Sequence, residues 1–193
     1  MKYTKLPSTA FQEIQINAGV IASSFNTTTG ALTQADILGA TSGGINFTAT
    51  PTFTDMGEDI DNCPKNTKEL KKLDMWEAKA SGTFVTITPA TTKLLLGAAA
   101  VSSSTITPHA DLASTDFSDI WIIGDYSDKN GATNGGYVAI HLKDALSTGG
   151  FQMQTTDREK GQFAFEFTAH YSASSDDVPF VVYVKAGTAE PST

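Results

Sequence analysis

A chain of 193 residues has the length of one domain with a real hydrophobic core, and two domains are not expected. Lys+Arg number 13 against 21 Asp+Glu, a formal net charge of −8, which argues against a protein that grips nucleic-acid phosphates by counterion release or docks on an anionic membrane. A hydrophobic fraction of 40% with 18% charged residues excludes a wholly disordered, collagen-like or coiled-coil chain.

The first residues, Met1-Lys2-Tyr3-Thr4-Lys5, lack the apolar core of a secretory signal, so no export is expected and Met1–Ala10 reads as an irregular N-terminal arm. Ile14, Ile16, Ala18 and Val20 alternate as one apolar row of a strand. Ser23 to Gly44 is irregular, and in an assembling protein such a stretch reads as an arm for a neighbouring subunit. Next comes a second row, Ile45, Phe47, Ala49 and Phe53, set against an uncharged polar row of Asn46, Thr48, Thr50, Thr52 and Thr54. Asp55 to Asn66 is again irregular and carries Asp55, Glu58, Asp59 and Asp61; Asn66 to Leu73, rich in lysine, reads as a further turn of helix.

Trp76, Ala78, Ala80 and Phe84 then oppose Glu77, Lys79, Ser81 and Thr83. Thr88-Pro89 supplies an N-cap with proline at the first helical position, and Gly97 a stop, so one short helix is predicted between them. The longest apolar stretch, Leu94 to Val101, falls far short of the roughly 18 residues of a membrane span. Asp119 to Gly124 reads as a strand buried on both sides, Tyr137 to Leu142 as the next, with the glycine-rich hairpin Ser127–Gly136 between them. The clearest alternation is Phe163, Phe165, Phe167, Ala169 and Tyr171 against Gln162, Ala164, Glu166, Thr168 and His170. Phe180 to Lys185 is the last strand, and 186–193 a C-terminal tail. The predicted class is mainly β.

Catalytic chemistry finds little support. His109, His141 and His170 are the only imidazoles, and no G-x-S-x-G elbow, phosphate loop or dinucleotide fingerprint occurs. Aligning Gly131 with the glycine of a calcium loop puts Tyr126 and Tyr137 where carboxylates are required. Cys63 is the only cysteine, so no intrachain disulfide is possible, and its expected role is that of a free structural thiol. Asp55, Glu58, Asp59 and Asp61 read as charge on a solvated segment. No catalytic residue, cofactor or metal site is expected.

The strings AGVIASSF (Ala18 to Phe25), DILGATSGGINF (Asp36 to Phe47), PTFTDMGEDIDN (Pro51 to Asn62), LDMWEA (Leu73 to Ala78), LLLGAA (Leu94 to Ala99), DFSDIWIIGD (Asp116 to Asp125) and VAIHLKDALSTGGFQMQTT (Val138 to Thr156) resemble the major tail proteins of tailed bacteriophages. The likeness is to the tail tube proteins of long, non-contractile-tailed phages and prophages of Gram-positive bacteria, and it runs from about Phe11 to Tyr183. Cys63 and the long hairpin Ser127–Gly136 depart from it.

The resemblance implies a β-sandwich or small barrel with one flanking α-helix and long loops or arms. Its copies would form hexameric rings that stack into a tube around a tape measure protein, between initiator and terminator proteins, in the host cytoplasm and then in the virion. DNA would pass through the lumen without specific binding, and no membrane is involved. On this reading Asn46, Thr48, Thr50, Thr52, Thr54, Glu77, Ser81 and Thr83 are the candidates for lining the channel, with Lys79 the only cation in those rows. Asp55, Glu58, Asp59, Asp61, Lys65 and Lys68 are candidates for an inter-subunit or inter-ring loop. Two alternatives stand beside it: a tube protein of a contractile injection system, such as type VI secretion or a bacteriocin, and a virion carbohydrate-binding or adhesion module, which needs an exposed aromatic platform.

Overall fold

The computed structural model describes residues 6–7, 10–126, 135–175 and 177–187; most of the N-terminal arm, the tip of the Ser127–Gly136 hairpin and the end of the C-terminal tail lie outside them. The fold is a mainly β sandwich with one flanking helix. After a single helical turn, α1 (Ala10–Glu13), come β1 (Gln15–Ala22), β2 (Ile37–Gly39), β3 (Thr41–Asp55) and β4 (Lys71–Phe84). Helix α2 (Pro89–Leu96) leads to a small hairpin, β5 (Ala99–Ser102) and β6 (Thr105–Pro108), and then to β7 (Ser118–Tyr126) and β8 (Gly136–Ser147). Strands β9 (Gln152–Gln154), β10 (Gln162–Thr168) and β11 (Phe180–Lys185) complete the chain.

Strand β8 joins the two layers. Its first residues pair with β7 and β11, extending a layer that runs β2-β1-β7-β8-β11, while Leu146 and Ser147 pair with β10 and lead into β10-β4-β3 with β9 alongside. All these pairings are antiparallel. The core lies between the layers: Ile21, Ile120, Ile122 and Leu142 from one meet Ala78, Ala80, Phe84, Phe163, Phe165 and Phe167 from the other. Phe84 packs tilted against Phe165 at 4.5 Å, and Phe165 stacks on Phe167 at 5.3 Å. Gly82 makes room for this stack, because a Cβ there would lie 2.7 Å from Phe165 Cζ.

Helix α2 closes one end of the sandwich. The Thr88 hydroxyl accepts the Thr91 N–H at 3.1 Å, Pro89 sets the first turn, and Gly97 at φ 73° returns its N–H to the Lys93 carbonyl, the cap pattern expected from the sequence. Its Leu95 is fully buried, and the Thr91 hydroxyl donates to the Leu38 carbonyl of β2.

Two expectations need correction. The row Ile14, Ile16, Ala18, Val20 does not hold: Ile14 precedes the strand and Ala18 is exposed, whereas Ile21 and Ala22 are fully buried. The cause is a bulge. Between Ile16 and Val20 the pairing with β7 advances only from Asp125 to Ile123, with Asn17 and Gly19 at positive φ, so the side-chain phase changes midway. The stretch Ser23 to Gly44 does not stand free for a neighbour either. Phe25 packs on Tyr137 at 4.9 Å and on Trp121 at 5.8 Å, the Tyr137 hydroxyl donates to the Thr27 carbonyl, and the segment covers the outer face of the β7–β8 layer as a second small core. Its last residues form β2 and the start of β3. Asn66 to Leu73 is a turn of 3-10 helix, Lys68–Leu70, running directly into β4.

Candidate assembly surfaces

The polar row predicted on β3 and β4 forms one continuous face. Asn46 pairs with Ser81, Thr48 with Lys79, Thr50 with Glu77 and Ser42 with Thr83, so these side chains share the surface opposite the core. Asn46, Thr48, Thr50, Thr52, Thr54 and Glu77 are exposed; Ser81 and Thr83 are half-buried. Strand β10 widens this face, because Glu166 pairs with Ser81 and Thr168 with Lys79. The alternation with the phenylalanines had turned Glu166 and Thr168 away from the core, but nothing in the sequence placed β10 beside β4.

Lys79 is not a free cation. Its Nζ lies 2.5 Å from Glu77 Oε1, and that hydrogen bond and charge, with a smaller contribution from Glu166, raise its pKa. Glu77, Glu166 and Lys79 together leave this part of the face with one net negative charge. Lys72, opposite Thr54, adds a second cation further out, and Met75, opposite Thr52, interrupts the polar row.

The β3–β4 pair outgrows the sandwich. Strand β10 accompanies β4 only as far as Lys79, the Ala169 N–H reaches the Ala78 carbonyl, and the Tyr171 hydroxyl accepts the Trp76 N–H at 2.7 Å. Beyond Trp76 no other strand among the described residues pairs with these two, which continue as an arm. The apolar row of the core continues with them: Pro51 pairs with Trp76 and, past a bulge that skips Asp74, Phe53 pairs with Leu73. Phe53 is 50% exposed and Leu73 44%, and in the loop beyond, Met56 and Ile60 are 63% and 53% exposed. The sequence had Phe53 in its correct row. Periodicity reports which side of a strand a residue takes, not whether anything covers that side.

The loop at the tip is folded. Asp55 Oδ1 accepts the Gly57 N–H and Oδ2 the Asn66 N–H, at 3.0 and 2.9 Å. These two bonds, then the charges of Lys71 and Lys65, hold its carboxyl below the usual carboxylate range. Asp55 is therefore an internal staple of the loop, whereas Glu58, Asp59, Asp61, Lys65 and Lys68 are exposed on it. Cys63 is half-buried beside Thr67, its Sγ 3.7 Å from the hydroxyl. Because folding lowers the Asp55 pKa, its contribution is complete above the unfolded pKa and disappears as pH falls through the lower folded value. Protection of the Gly57 and Asn66 amides relative to their intrinsic exchange should accordingly persist down to the usual carboxylate range and be lost below it; in Asp55→Ala both amides should be unprotected at every pH.

The imidazoles are engaged separately. His141 stacks on Trp121 at 4.0 Å, its Nε2 lying 3.1 Å from Asp119 Oδ2 without hydrogen-bond alignment. His170 Nδ1 faces the Asp144 carbonyl at 3.1 Å and His109 Nδ1 the Asp111 carbonyl at 2.6 Å. Among the described residues no group of three or more His, Cys, Asp and Glu is placed to hold a metal ion, and no helix is long and apolar enough to cross a membrane. In comparisons with known proteins, no family model matches this chain and no curated protein matches it.

Proposed function

We propose that this chain is a structural tube subunit, whose copies assemble into stacked hexameric rings that form the tail tube of a long, non-contractile-tailed phage. The observation that carries the reading is the arm: a two-stranded ribbon with a folded tip, leaving the sandwich with Phe53 and Leu73 uncovered on its core side and Met56 and Ile60 uncovered in the tip loop. An isolated two-stranded hairpin is marginal in water, and half-covering each such side chain in a neighbour would contribute about 1 kcal/mol per residue. Repeated at every subunit of a ring, that supports a polymer. The exposed threonine face, with its lone local lysine neutralised, suits a channel wall past which phosphates slide without being held. The tape measure, initiator and terminator proteins are the partners this role requires, with assembly in the host cytoplasm.

An adhesion module would need an exposed aromatic platform. Trp121 is 9% exposed under Phe25 and His141, and Trp76 packs edge-on against Phe180 at 5.6 Å, so neither tryptophan offers one. Negative-stain microscopy of the purified protein should reveal rings or tubes. The double variant Phe53→Asp/Leu73→Asp should lose about 2–3 kcal/mol, for two half-covered side chains and two like charges placed opposite each other, and stay folded, yet remain monomeric. Monodisperse wild-type monomers at every concentration tried, or normal tubes from the double variant, would overturn the proposal.

A further inference from the structure

Among the described residues, strand β11 is the outermost strand of its layer, pairing with β8 alone. Its side chains alternate: Tyr183 joins the small outer core, whereas Phe180 turns inward against the main core. Phe47 and Trp76 of the opposite layer cover Phe180, at 5.7 and 5.6 Å. The next residues on that inward face, Val182 and Val184, are 47% and 61% exposed. The covering layer behaves in the same way. Its apolar row passes Phe47 and Trp76 and goes on to Phe53 and Leu73, both about half exposed. Among the described residues the two inner faces of one sandwich thus each run past their mutual contact, and within one subunit neither overhang covers the other.

We infer that the Phe53–Leu73 end of the arm seats on Val182 and Val184 of a second copy of this chain, so that each subunit completes its neighbour's sandwich. The occupant is argued from continuity, because the packing of β3–β4 side chains on the inner face of β11 already exists within the subunit and the same two surfaces extend beyond it. The two patches differ, so the contact is heterologous: one copy gives its arm and receives another on β11, which generates a ring or a stacked series rather than a closed pair. The inference rests on the self-assembly reading and specifies its contact.

The test uses a Cys63→Ser background with Phe53→Cys, Val184→Cys or both, treated with a short bis-maleimide. The doubly substituted chain should give a covalent ladder, a mixture of the two singly substituted chains should give dimers, and neither singly substituted chain should cross-link with itself. Without cross-linker, Val184→Asp should raise the concentration needed for assembly about tenfold, as loss of one buried valine contact implies. Rings or tubes in the microscope with no Phe53→Cys to Val184→Cys product would overturn this contact and leave the assembly reading standing. Absence of both assemblies and cross-links would overturn both. A ladder without tubes would support the contact and count against the tube. Cross-linking of Val184→Cys with itself would replace the heterologous contact by a symmetric one and overturn the inference.

Discussion

Phe167→Ala is expected to destabilise the subunit by about 3–5 kcal/mol, the range for emptying a buried phenylalanine site. Phe167 is fully buried and stacks on Phe165, which lies against Phe84 and over Gly82, so the cavity would open in the middle of the aromatic stack between the layers. That is a large share of the roughly 5–15 kcal/mol by which domains are stable, and for a chain of this size it lowers Tm by roughly 6–20 °C. The control is chemically identical: Phe53→Ala, at a site 50% exposed, should cost no more than about 1 kcal/mol while impairing assembly. Urea unfolding of both variants decides the matter. Equal losses would mean that the aromatic stack does not hold the layers together, or that the arm is part of the monomer's core.

Those two phenylalanines also mark what could be read in the sequence. Phe163, Phe165 and Phe167 alternate without interruption, and their strand, its buried face and its polar face all follow from a period of two. The same holds for the Thr88-Pro89 cap and for the closing strand, Phe180–Lys185. What was not legible falls into two physical classes. Bulges at Asn17–Gly19 and at Asp74 change the phase of a strand, and no local signal separates such a residue from an ordinary strand residue until a partner strand is in place. Coverage is non-local: the alternation puts Phe53 on the core side, but only the end of β10 near Lys79 explains why that side is bare there. Phe25 and Leu32 failed in the opposite sense. Scattered through a polar stretch without periodicity, they gave no sign of folding back over Trp121 and Tyr137. The candidate residues divide along the same line, since the threonine row follows from period alone and shares one face, while Asp55 is a staple of its loop rather than a solvated charge because its partners, Gly57 and Asn66, are set by the turn.

On the proposed function, replacing Thr48 and Thr50 together with lysine should leave tube assembly intact and slow or stall genome ejection. Both side chains are exposed on β3, facing Lys79 and Glu77 across the pair with β4, so the change adds charge without disturbing the core. Glu77, Glu166 and Lys79 give this part of the face a charge of −1, and two added lysines take it to +1 in every subunit. The ammonium introduced by Thr50→Lys would also compete with Lys79 for Glu77, leaving a cation free to meet a phosphate. Each lysine–phosphate contact contributes affinity by releasing condensed counterions, and a repeat at every ring multiplies that contribution along the whole length of the tube. Because the effect is electrostatic, raising the salt should relieve it, the screening length being ~8 Å at physiological ionic strength. The matching Thr48→Glu/Thr50→Glu tails, similarly bulky but acidic, should eject at the normal rate at every salt concentration. Ejection timed in vitro across a salt series separates the cases: unaltered, salt-independent kinetics from correctly assembled double-lysine tails would remove the β3–β4 face from the channel wall and leave it to the outer surface or to a contact between subunits.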